Sequence, residues 1–365
     1  MRGLVADGTP LGTALAGEGH LSVEAILAAH ERASARLLGA GEELQRLLDQ
    51  PGVTDVVVHA GHAWVDRGAG MEEAEMPLGE EREVRALAVR LAALAGQRLD
   101  DAAPIVDGTL PSGVRLHAML PPLSADGTSI SLRRHRQDAL SFEELGRLGA
   151  YGPLTGQVLR ALVEKRANAV LAGATGTGKT TMLSALLALV PLHERVVCIE
   201  EVRELQPHHP HVVHLQARGA NVQAAGAVGL DSLVRAALRM RPDRIVLGEA
   251  RGAEIREVLT ALNTGHAGSW FTLHANQVAD VPARLAALGA LAGMSPAMVA
   301  LQASVALDVV VLLRREDGVR RVAQIAALLP GERDSLRAAP VLEVRGGREV
   351  PVAGAWEEFH AVWMR

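Results

Sequence analysis

The chain has 365 residues, a net charge of −5, and 48% hydrophobic and 22% charged residues. This length and composition exclude an intrinsically disordered protein and predict a globular protein of two or three domains. The acidic balance argues against a surface that coats nucleic acid. The single cysteine, Cys198, excludes an internal disulfide framework and fits a reducing cytoplasm.

The N-terminal part of the chain predicts a lead followed by a small α+β domain. Residues 1–50 combine a flexible, glycine-rich start with helical spacing at 22–38 and 42–49. Residues 51–137 predict the α+β domain, since apolar residues there alternate with polar ones in several short runs. Its predicted elements are a β-hairpin, an amphipathic helix and three short strands, at 55–66, 80–95, 105–106, 114–118 and 129–132.

The C-terminal part predicts a larger α/β domain. Residues 138–153 contain three glycines and predict a linker, and residues 154–365 predict the second domain with a C-terminal tail. Strands that alternate with helices imply a parallel sheet. The predicted strands, including two in the tail, are 169–171, 196–200, 212–215, 244–247, 268–273, 309–313 and 320–325.

One apolar stretch, residues 286–313, has to be distinguished from a membrane span. It contains Pro296 and several polar residues, and it ends in a run of three valines. Because a spanning helix needs about 20 predominantly apolar residues without such breaks, the stretch predicts two short helices and a strand.

Residues 173–180 form a complete GxxxxGK[ST] phosphate-binding loop between an apolar strand and a helix. The glycines let backbone N–H groups point at phosphate oxygens, Lys179 reaches the β- and γ-phosphates, and the Thr180 hydroxyl is a ligand for Mg²⁺. The chain has only two lysines, Lys165 and Lys179, among 37 basic residues. Because arginine supplies nearly all other positive charges, the lysine at position 179 indicates a need for a compact ammonium group, which a guanidinium cannot replace. The predicted nucleotide-binding residues of this segment are Gly173, Ala174, Thr175, Gly176, Thr177, Gly178, Lys179, Thr180 and Thr181.

Carboxylates at strand ends supply the remaining chemistry that phosphoryl transfer needs. Glu249 follows the apolar strand 244–247, after a glycine, and is predicted to orient the attacking water. Glu200 closes the strand 196–200 in an acidic cluster with Glu201 and Glu204. Two histidines, at the ends of the stretch 266–274, have a spacing unlike that of a zinc site, and each is read first as a hydrogen-bonded polar residue.

These segments together resemble one family, the hexameric ATPases of type II and type IV secretion and of type IV pili. Residues 218–252 and the sequence Asn263-Thr264-Gly265-His266 resemble its CpaF/Tad pilus-assembly branch, and the whole resemblance runs from about residue 54 to 325. It implies a RecA-like P-loop ATPase domain preceded by the small α+β N-terminal domain with a helical lead, an α/β fold overall.

The resemblance also implies residue roles. The segment 199–205 is similar to the family's acidic box, although Glu201 stands where aspartate is usual, so Glu200 is the expected catalytic and Mg²⁺-binding carboxylate. The segment 266–274 is similar to the histidine box, with Ala267 replacing an acidic residue. Arg115 and Arg133 are similar to family arginines that reach the nucleotide between the domains. The nucleotide-binding residues expected on this ground are Arg115, Arg133, Arg218 and His274.

The sequence therefore predicts an ATPase that uses ATP and Mg²⁺, with Glu249, Lys179 and Glu200 as catalytic residues. The resemblance implies a homohexamer in the cytoplasm, attached peripherally to the inner face of the plasma membrane. It would power a Tad-type pilus or a related secretion system through inner-membrane platform proteins, without direct nucleic-acid binding. The alternatives are a type IV secretion or conjugal-transfer ATPase, and a non-hydrolysing ATP-binding assembly module.

Overall fold

The computed structural model describes residues 39–365 apart from 69, 77, 135–139, 220–225 and 317. The described chain forms two compact units, the first ending and the second beginning near residue 138. The predicted lead over residues 1–38, with its helix at 22–38, lies outside the described residues. The rest of that segment contains the helix α1, Glu42–Leu48, close to its predicted position.

In its described residues, the first unit is an antiparallel sheet with two helices. Its strands lie in the order β3-β2-β1-β6-β5-β4. They are β1 Asp55–His59, β2 His62–Asp66, β3 Met71–Ala74, β4 Ile105–Thr109, β5 Arg115–Met119 and β6 Ser129–Arg133. Alternate residues of β1, β2, β5 and β6 are buried, and α1 and α2 (Glu81–Leu94) pack their apolar residues into the same core. The predicted α+β domain is confirmed.

Helix α2 begins where its capping residues predict. Glu80 accepts the backbone N–H of Glu83, and the Glu83 carboxylate accepts the N–H of Glu80, which satisfies two donors at the start of the helix. Val84, Ala88 and Leu91 recur on one face and are buried. The helix is therefore set on the sheet by its sequence pattern.

The second unit contains a nine-stranded sheet in the order β15-β14-β13-β12-β7-β11-β10-β8-β9. Strands β12, β7, β11, β10, β8 and β9 are parallel, and β13 to β15 are added antiparallel at one edge. The strands are β7 Ala169–Ala172, β8 Val196–Glu200, β9 Val212–Gln216, β10 Arg244–Leu247, β11 Trp270–Leu273, β12 Val309–Glu316, β13 Val319–Pro330, β14 Leu336–Arg345 and β15 Arg348–Pro351.

Helices cover both faces of this sheet. They are α3 Phe142–Arg147, α4 Pro153–Glu164, α5 Lys179–Leu187, α6 Leu230–Ala237, α7 Ile255–Asn263, α8 Val281–Leu291, α9 Pro296–Ala306 and α10 Ala355–Trp363. Helices α6 to α9 pack on one face, and α3, α4, α5 and α10 pack on the other. Every residue of β7, β10 and β11 is buried, as expected for strands covered on both sides. The predicted RecA-like α/β domain is confirmed.

The apolar stretch 286–313 has the predicted form. It contains the end of α8, all of α9 and the start of β12. Within the described part of the chain, no single helix is long and apolar enough to cross a membrane; the segments Val278–Leu291 and Pro296–Ala306 reach that hydropathy only as a pair, and they are bent by 119°.

The structure corrects the predicted linker at 138–153. Helix α3 lies in this segment, and its residues Phe142 and Leu145 are buried in the core of the second unit. The Tyr151 hydroxyl donates a hydrogen bond to the Phe142 carbonyl, and the two rings stack with centroids 4.4 Å apart. A methyl group on Gly146 would lie 3.1 Å from the Tyr151 ring. The glycine here allows close packing, whereas the sequence pattern suggested flexibility.

A buried ion-pair network lies at the amino ends of the parallel strands, opposite the edge that carries the phosphate loop. Arg244 is 1% exposed, and its Nε donates to Glu194 Oε2 at 2.6 Å. Arg166 Nη1 lies 2.9 Å from Glu194 Oε1. One buried carboxylate thus compensates two guanidinium groups, so its loss would leave buried charge unpaired.

We expect Glu194→Gln to lower the free energy of unfolding by about 3 kcal/mol, because the amide keeps the shape of the side chain but not its charge. The matched control is Glu143→Gln, whose carboxylate pairs with Arg160 while 59% exposed. That variant should change stability by less than about 1 kcal/mol. Urea unfolding followed by circular dichroism measures both, and equal midpoints for the two variants would contradict the prediction.

Candidate nucleotide-binding site

The site is built at the carboxyl edge of the parallel strands. Strands β8, β10, β11 and β7 are neighbours in parallel register, so their carboxyl ends meet along one edge. Glu200 ends β8, Glu249 lies two residues beyond β10, and His274 follows β11 directly. The phosphate loop leaves β7 next to β11 and leads into α5 at Lys179. The topology therefore brings four separate sequence predictions to one place.

The phosphate loop has the conformation that its glycines allow. Gly176 and Gly178 have φ angles of +76° and +91°, which residues with a side chain rarely adopt. The Thr177 hydroxyl donates a hydrogen bond to the Ala174 carbonyl at 2.8 Å, which links two residues of the loop to each other. Residues 174–176 are exposed. The backbone of the loop is thus accessible to a ligand in front of the first turn of α5.

Lys179 is folded back onto this loop. The residue is only 8% exposed, and its Nζ donates to the carbonyls of Gly173 and Ala174 at 2.9 and 3.0 Å. Burial lowers the pKa of its ammonium group, and the nearby Glu249 carboxylate opposes this shift. Lys179 therefore lies within electrostatic range of Glu249.

Glu249 is in contact with two side chains, of which Arg251 makes a hydrogen bond to it. Its Oε2 accepts a hydrogen bond from Arg251 Nη2 at 2.7 Å, and its Oε1 lies 2.8 Å from His274 Nε2. Arg251 also donates from Nη1 to Glu201 Oε2 at 2.9 Å. Glu201, where the family usually has aspartate, is thus an ion-pair partner of Arg251. Arg251 was not among the predicted site residues, and its only signal in the sequence is its position two residues after Glu249.

The environment of His274 lowers the pKa of its imidazole. Burial and the charge of Lys179 lower its pKa, and Glu249 raises it by a smaller amount. Its main-chain carbonyl accepts a hydrogen bond from Arg284 Nε at 3.0 Å, which fixes the backbone after β11. Glu249 Oε1 has no hydrogen-bond partner among the described residues, so the 2.8 Å approach of His274 Nε2 is a close contact of the ring with the carboxylate and not an aligned hydrogen bond.

Glu200 lies close to Gly248, the residue that precedes Glu249. It is 4% exposed, and its Oε1 accepts the backbone N–H groups of Glu204 and Leu205, both at 2.9 Å. Its Oε2 is buried without a hydrogen-bond partner. A methyl group on Gly248 would lie 2.8 Å from Glu200 Cγ. Glu200 therefore occupies the space that a side chain at position 248 would need.

Two of the three predicted arginines, Arg218 and Arg133, make hydrogen bonds within their own unit. Arg218 Nε donates to the Gly226 carbonyl at 2.8 Å beside an isolated β-bridge. Arg115 and Arg133 are opposite each other on β5 and β6 of the first unit, and Arg133 Nε donates to Asp55 at 2.8 Å. A fourth arginine, absent from the sequence predictions, contacts the loop directly: Arg320 Nε donates to the Gly176 carbonyl at 2.8 Å.

This arrangement defines a P-loop nucleotide-binding domain, and comparison with known proteins identifies the family. The family model of the type II/IV secretion system proteins matches residues 41–326. The chain therefore belongs to this family, which confirms the superfamily that the sequence resembles.

Two relatives show the range of similarity. A putative conjugal transfer protein of Mycobacterium tuberculosis strain H37Rv is 47% identical over 304 residues, which cover 81% of this chain and 86% of that protein. The type IV secretion system protein VirB11 of Brucella suis is 30% identical over 260 residues, covering 64% of this chain and 72% of that protein.

Solved structures share the fold. The DotB ATPase of Legionella pneumophila superposes with a TM-score of 0.55 at 19% identity, over 80% of each chain. The pilus retraction motor PilT, solved with bound ADP, gives a TM-score of 0.54 at 18% identity, over 88% of this chain and 89% of that one. Both confirm the fold class.

Proposed function

We propose that the chain is an ATP-hydrolysing motor subunit of a pilus-assembly or secretion system. The observation that carries the proposal is that a complete phosphate loop and the Glu249 carboxylate lie at the same edge of the parallel sheet. Membership of the secretion family and the ADP in the PilT neighbour support nucleotide binding. Hydrolysis is the further step that the carboxylate makes chemically reasonable.

Different residues of the site bind the phosphates and position the attacking water. The exposed backbone of residues 174–176 and the start of α5 bind phosphate oxygens, and Lys179 leaves the loop carbonyls to meet the β- and γ-phosphates. Glu249, oriented by Arg251 and His274, positions the attacking water. Orientation by groups that are already in place reduces the reorganisation that the transition state requires.

Mg²⁺ would supply the remaining positive charge on the phosphates. The oxygen ligands available in the site fit Mg²⁺, because this ion prefers hard oxygen ligands. They are the Thr180 hydroxyl and Glu200 Oε2, a buried carboxylate oxygen that has no hydrogen-bond partner among the described residues. The other oxygen of Glu200 is occupied by two backbone N–H groups, so a metal would meet one oxygen of this carboxylate only.

Membership of the family supports a proposal for the assembly and its setting. We propose a homohexamer on the cytoplasmic face of the membrane, working on inner-membrane platform proteins, and the sequence resemblance favours the Tad-type pilus branch. The 47% identical relative is named as a putative conjugal transfer protein, which favours conjugal transfer or type IV secretion as the second candidate. Purification of the chain with its membrane partner, followed by identification of that partner, separates the two.

A turnover assay separates a motor from a non-hydrolysing ATP clamp. The purified full chain is incubated with ATP and Mg²⁺, and phosphate release is measured at several protein concentrations. Turnover that rises more than proportionally with concentration supports an active oligomer. Tight ATP binding without phosphate release at any concentration would favour the clamp.

For Arg115 and Arg133 the proposal rests on the family resemblance. If they add charge at the γ-phosphate, Arg115→Ala and Arg133→Ala should lower turnover by about tenfold and change ADP affinity by less than about twofold, because ADP lacks that phosphate. The matched control is Arg134→Ala, whose Nη1 donates to the Leu48 carbonyl inside the first unit. Equal kinetic losses in all three variants would indicate a structural role instead.

A further inference from the structure

The hairpin of β12 and β13 passes directly beside the phosphate loop. Strand β12 pairs in parallel with β7, and the last register pair is Leu312 with Ala172. Strand β7 ends there and the loop begins, whereas β12 continues to Glu316 before the chain returns as β13. A methyl group on Gly173 would lie 2.6 Å from the Leu313 carbonyl oxygen. The hairpin therefore forms one wall of the loop.

Arg320, at the start of β13, binds the loop from this wall. Its Nε donates to the Gly176 carbonyl at 2.8 Å, and a methyl group on Gly178 would lie 3.3 Å from its Cδ. The side chain thus spans the two left-handed glycines that form the curl of the loop. The residue is exposed, so its guanidinium adds positive charge on the solvent side of the loop.

The hydrogen bond to Gly176 fixes the direction of a whole peptide group. In a trans peptide the C=O of one residue and the N–H of the next point in opposite directions. The Gly176 carbonyl points to Arg320, so the N–H of Thr177 points away from the hairpin. Such N–H groups are the ones a phosphate loop offers to an anion.

The other arm of the hairpin contacts the second loop of the site. Arg314 Nη2 donates to the Asn276 carbonyl at 3.4 Å, two residues after His274. The first five residues of β12 are buried between β7 and β13, so the hairpin is anchored in the sheet. It can hold the phosphate loop and the loop after β11 at a fixed separation.

We propose that Arg320 is a positioning residue for nucleotide binding, which holds the phosphate loop curled through the Gly176 carbonyl and adds charge for the diphosphate that ADP and ATP share. This inference rests on the nucleotide binding of the proposed function. Because the contact is with the loop and not with a γ-phosphate, it stabilises ground state and transition state equally. Such an interaction changes KM and leaves kcat unchanged.

The test compares Arg320→Ala with Arg337→Ala in the full chain. Arg337 is an exposed arginine of β14, in the same sheet, so both variants lose the same charge. Calorimetry with ADP and a non-hydrolysable ATP analogue should show about tenfold weaker binding of both ligands to Arg320→Ala. KM should rise by the same factor while kcat stays within about twofold. Arg337→Ala should match the wild type, and Arg320→Lys, which keeps a donor and the charge, should recover most of the affinity.

Hydrogen exchange of the loop amides in the nucleotide-free protein supplies a readout that needs no ligand. The amides of residues 174–178 should exchange faster in Arg320→Ala than in Arg337→Ala. The inference is overturned if the loop amides of Arg320→Ala exchange at the wild-type rate. It is also overturned if the ADP affinity of Arg320→Ala is within twofold of the wild-type affinity. If the wild-type chain itself fails to bind ADP, the proposed function fails, and the exchange measurement still decides whether Arg320 holds the loop.

Discussion

Lys179→Ala should weaken the binding of ATP and ADP by at least about 100-fold. The ammonium is buried and already surrounded by oxygen acceptors, and charge-assisted hydrogen bonds of this kind are among the strongest that proteins form. No other side chain of the loop carries a positive charge. Calorimetric titration with both nucleotides measures the loss, and thermal unfolding of the variant establishes that it is folded.

The chain offers a matched control for this change. Lys165 is the other lysine of the sequence, and its Nζ donates to main-chain carbonyls of Val362 and Arg365 at the end of the chain. Lys165→Ala removes the same charge from the same unit without touching the phosphate loop. Its nucleotide affinity should equal that of the wild type. Unchanged affinity in Lys179→Ala would rule out the assignment of the loop.

The sequence predicted the phosphate loop and the strands around it because their signals are local. The loop signature occupies eight consecutive residues, and the apolar strand and helix on each side have their own periodicity. The sequence predicted Glu249 as a strand-end carboxylate, whereas His274 was expected at the nucleotide only through the family resemblance. The structure places both at the carboxyl edge of the parallel strands, beside the phosphate loop.

What the sequence could not predict depends on contacts between distant residues. Arg320 lies 144 positions from Gly176, and one arginine among 35 carries no mark of such a contact. The same reason applies to α3: three nearby glycines suggested a linker, whereas the buried Phe142 and its stacking on Tyr151 make the segment part of the core. Tertiary packing decided both cases, and it has no local sequence signal.

For Glu200 the sequence predicted the position of the residue but not its contacts. The sequence placed Glu200 at a strand end and left its role at the metal to the family resemblance. The structure adds that Glu200 binds two backbone N–H groups and fills the space beside Gly248. Removal of its side chain would therefore disturb the backbone of residues 204–205, so a kinetic loss in a Glu200 variant would not by itself identify a catalytic residue.

Glu249→Gln should lower turnover by about 100-fold or more and leave ATP affinity unchanged. The amide keeps the size of the side chain and can still accept one hydrogen bond from Arg251, but it cannot attract the proton of the attacking water. An interaction that exists only in the transition state is lost from kcat and not from ground-state binding. Single-turnover phosphate release and calorimetric titration with ATP measure the two quantities separately.

The control for this change is Glu201→Gln, the other carboxylate that Arg251 holds. It is 50% exposed, against 20% for Glu249, and it should lose less than about fivefold in turnover. If Glu249→Gln retained full turnover and Glu200→Gln lost it with the protein still folded, the water-orienting carboxylate would be Glu200. Equal losses of ATP affinity and turnover in Glu249→Gln would instead mean that this carboxylate only balances the charges of Lys179 and Arg251 in the nucleotide-free site.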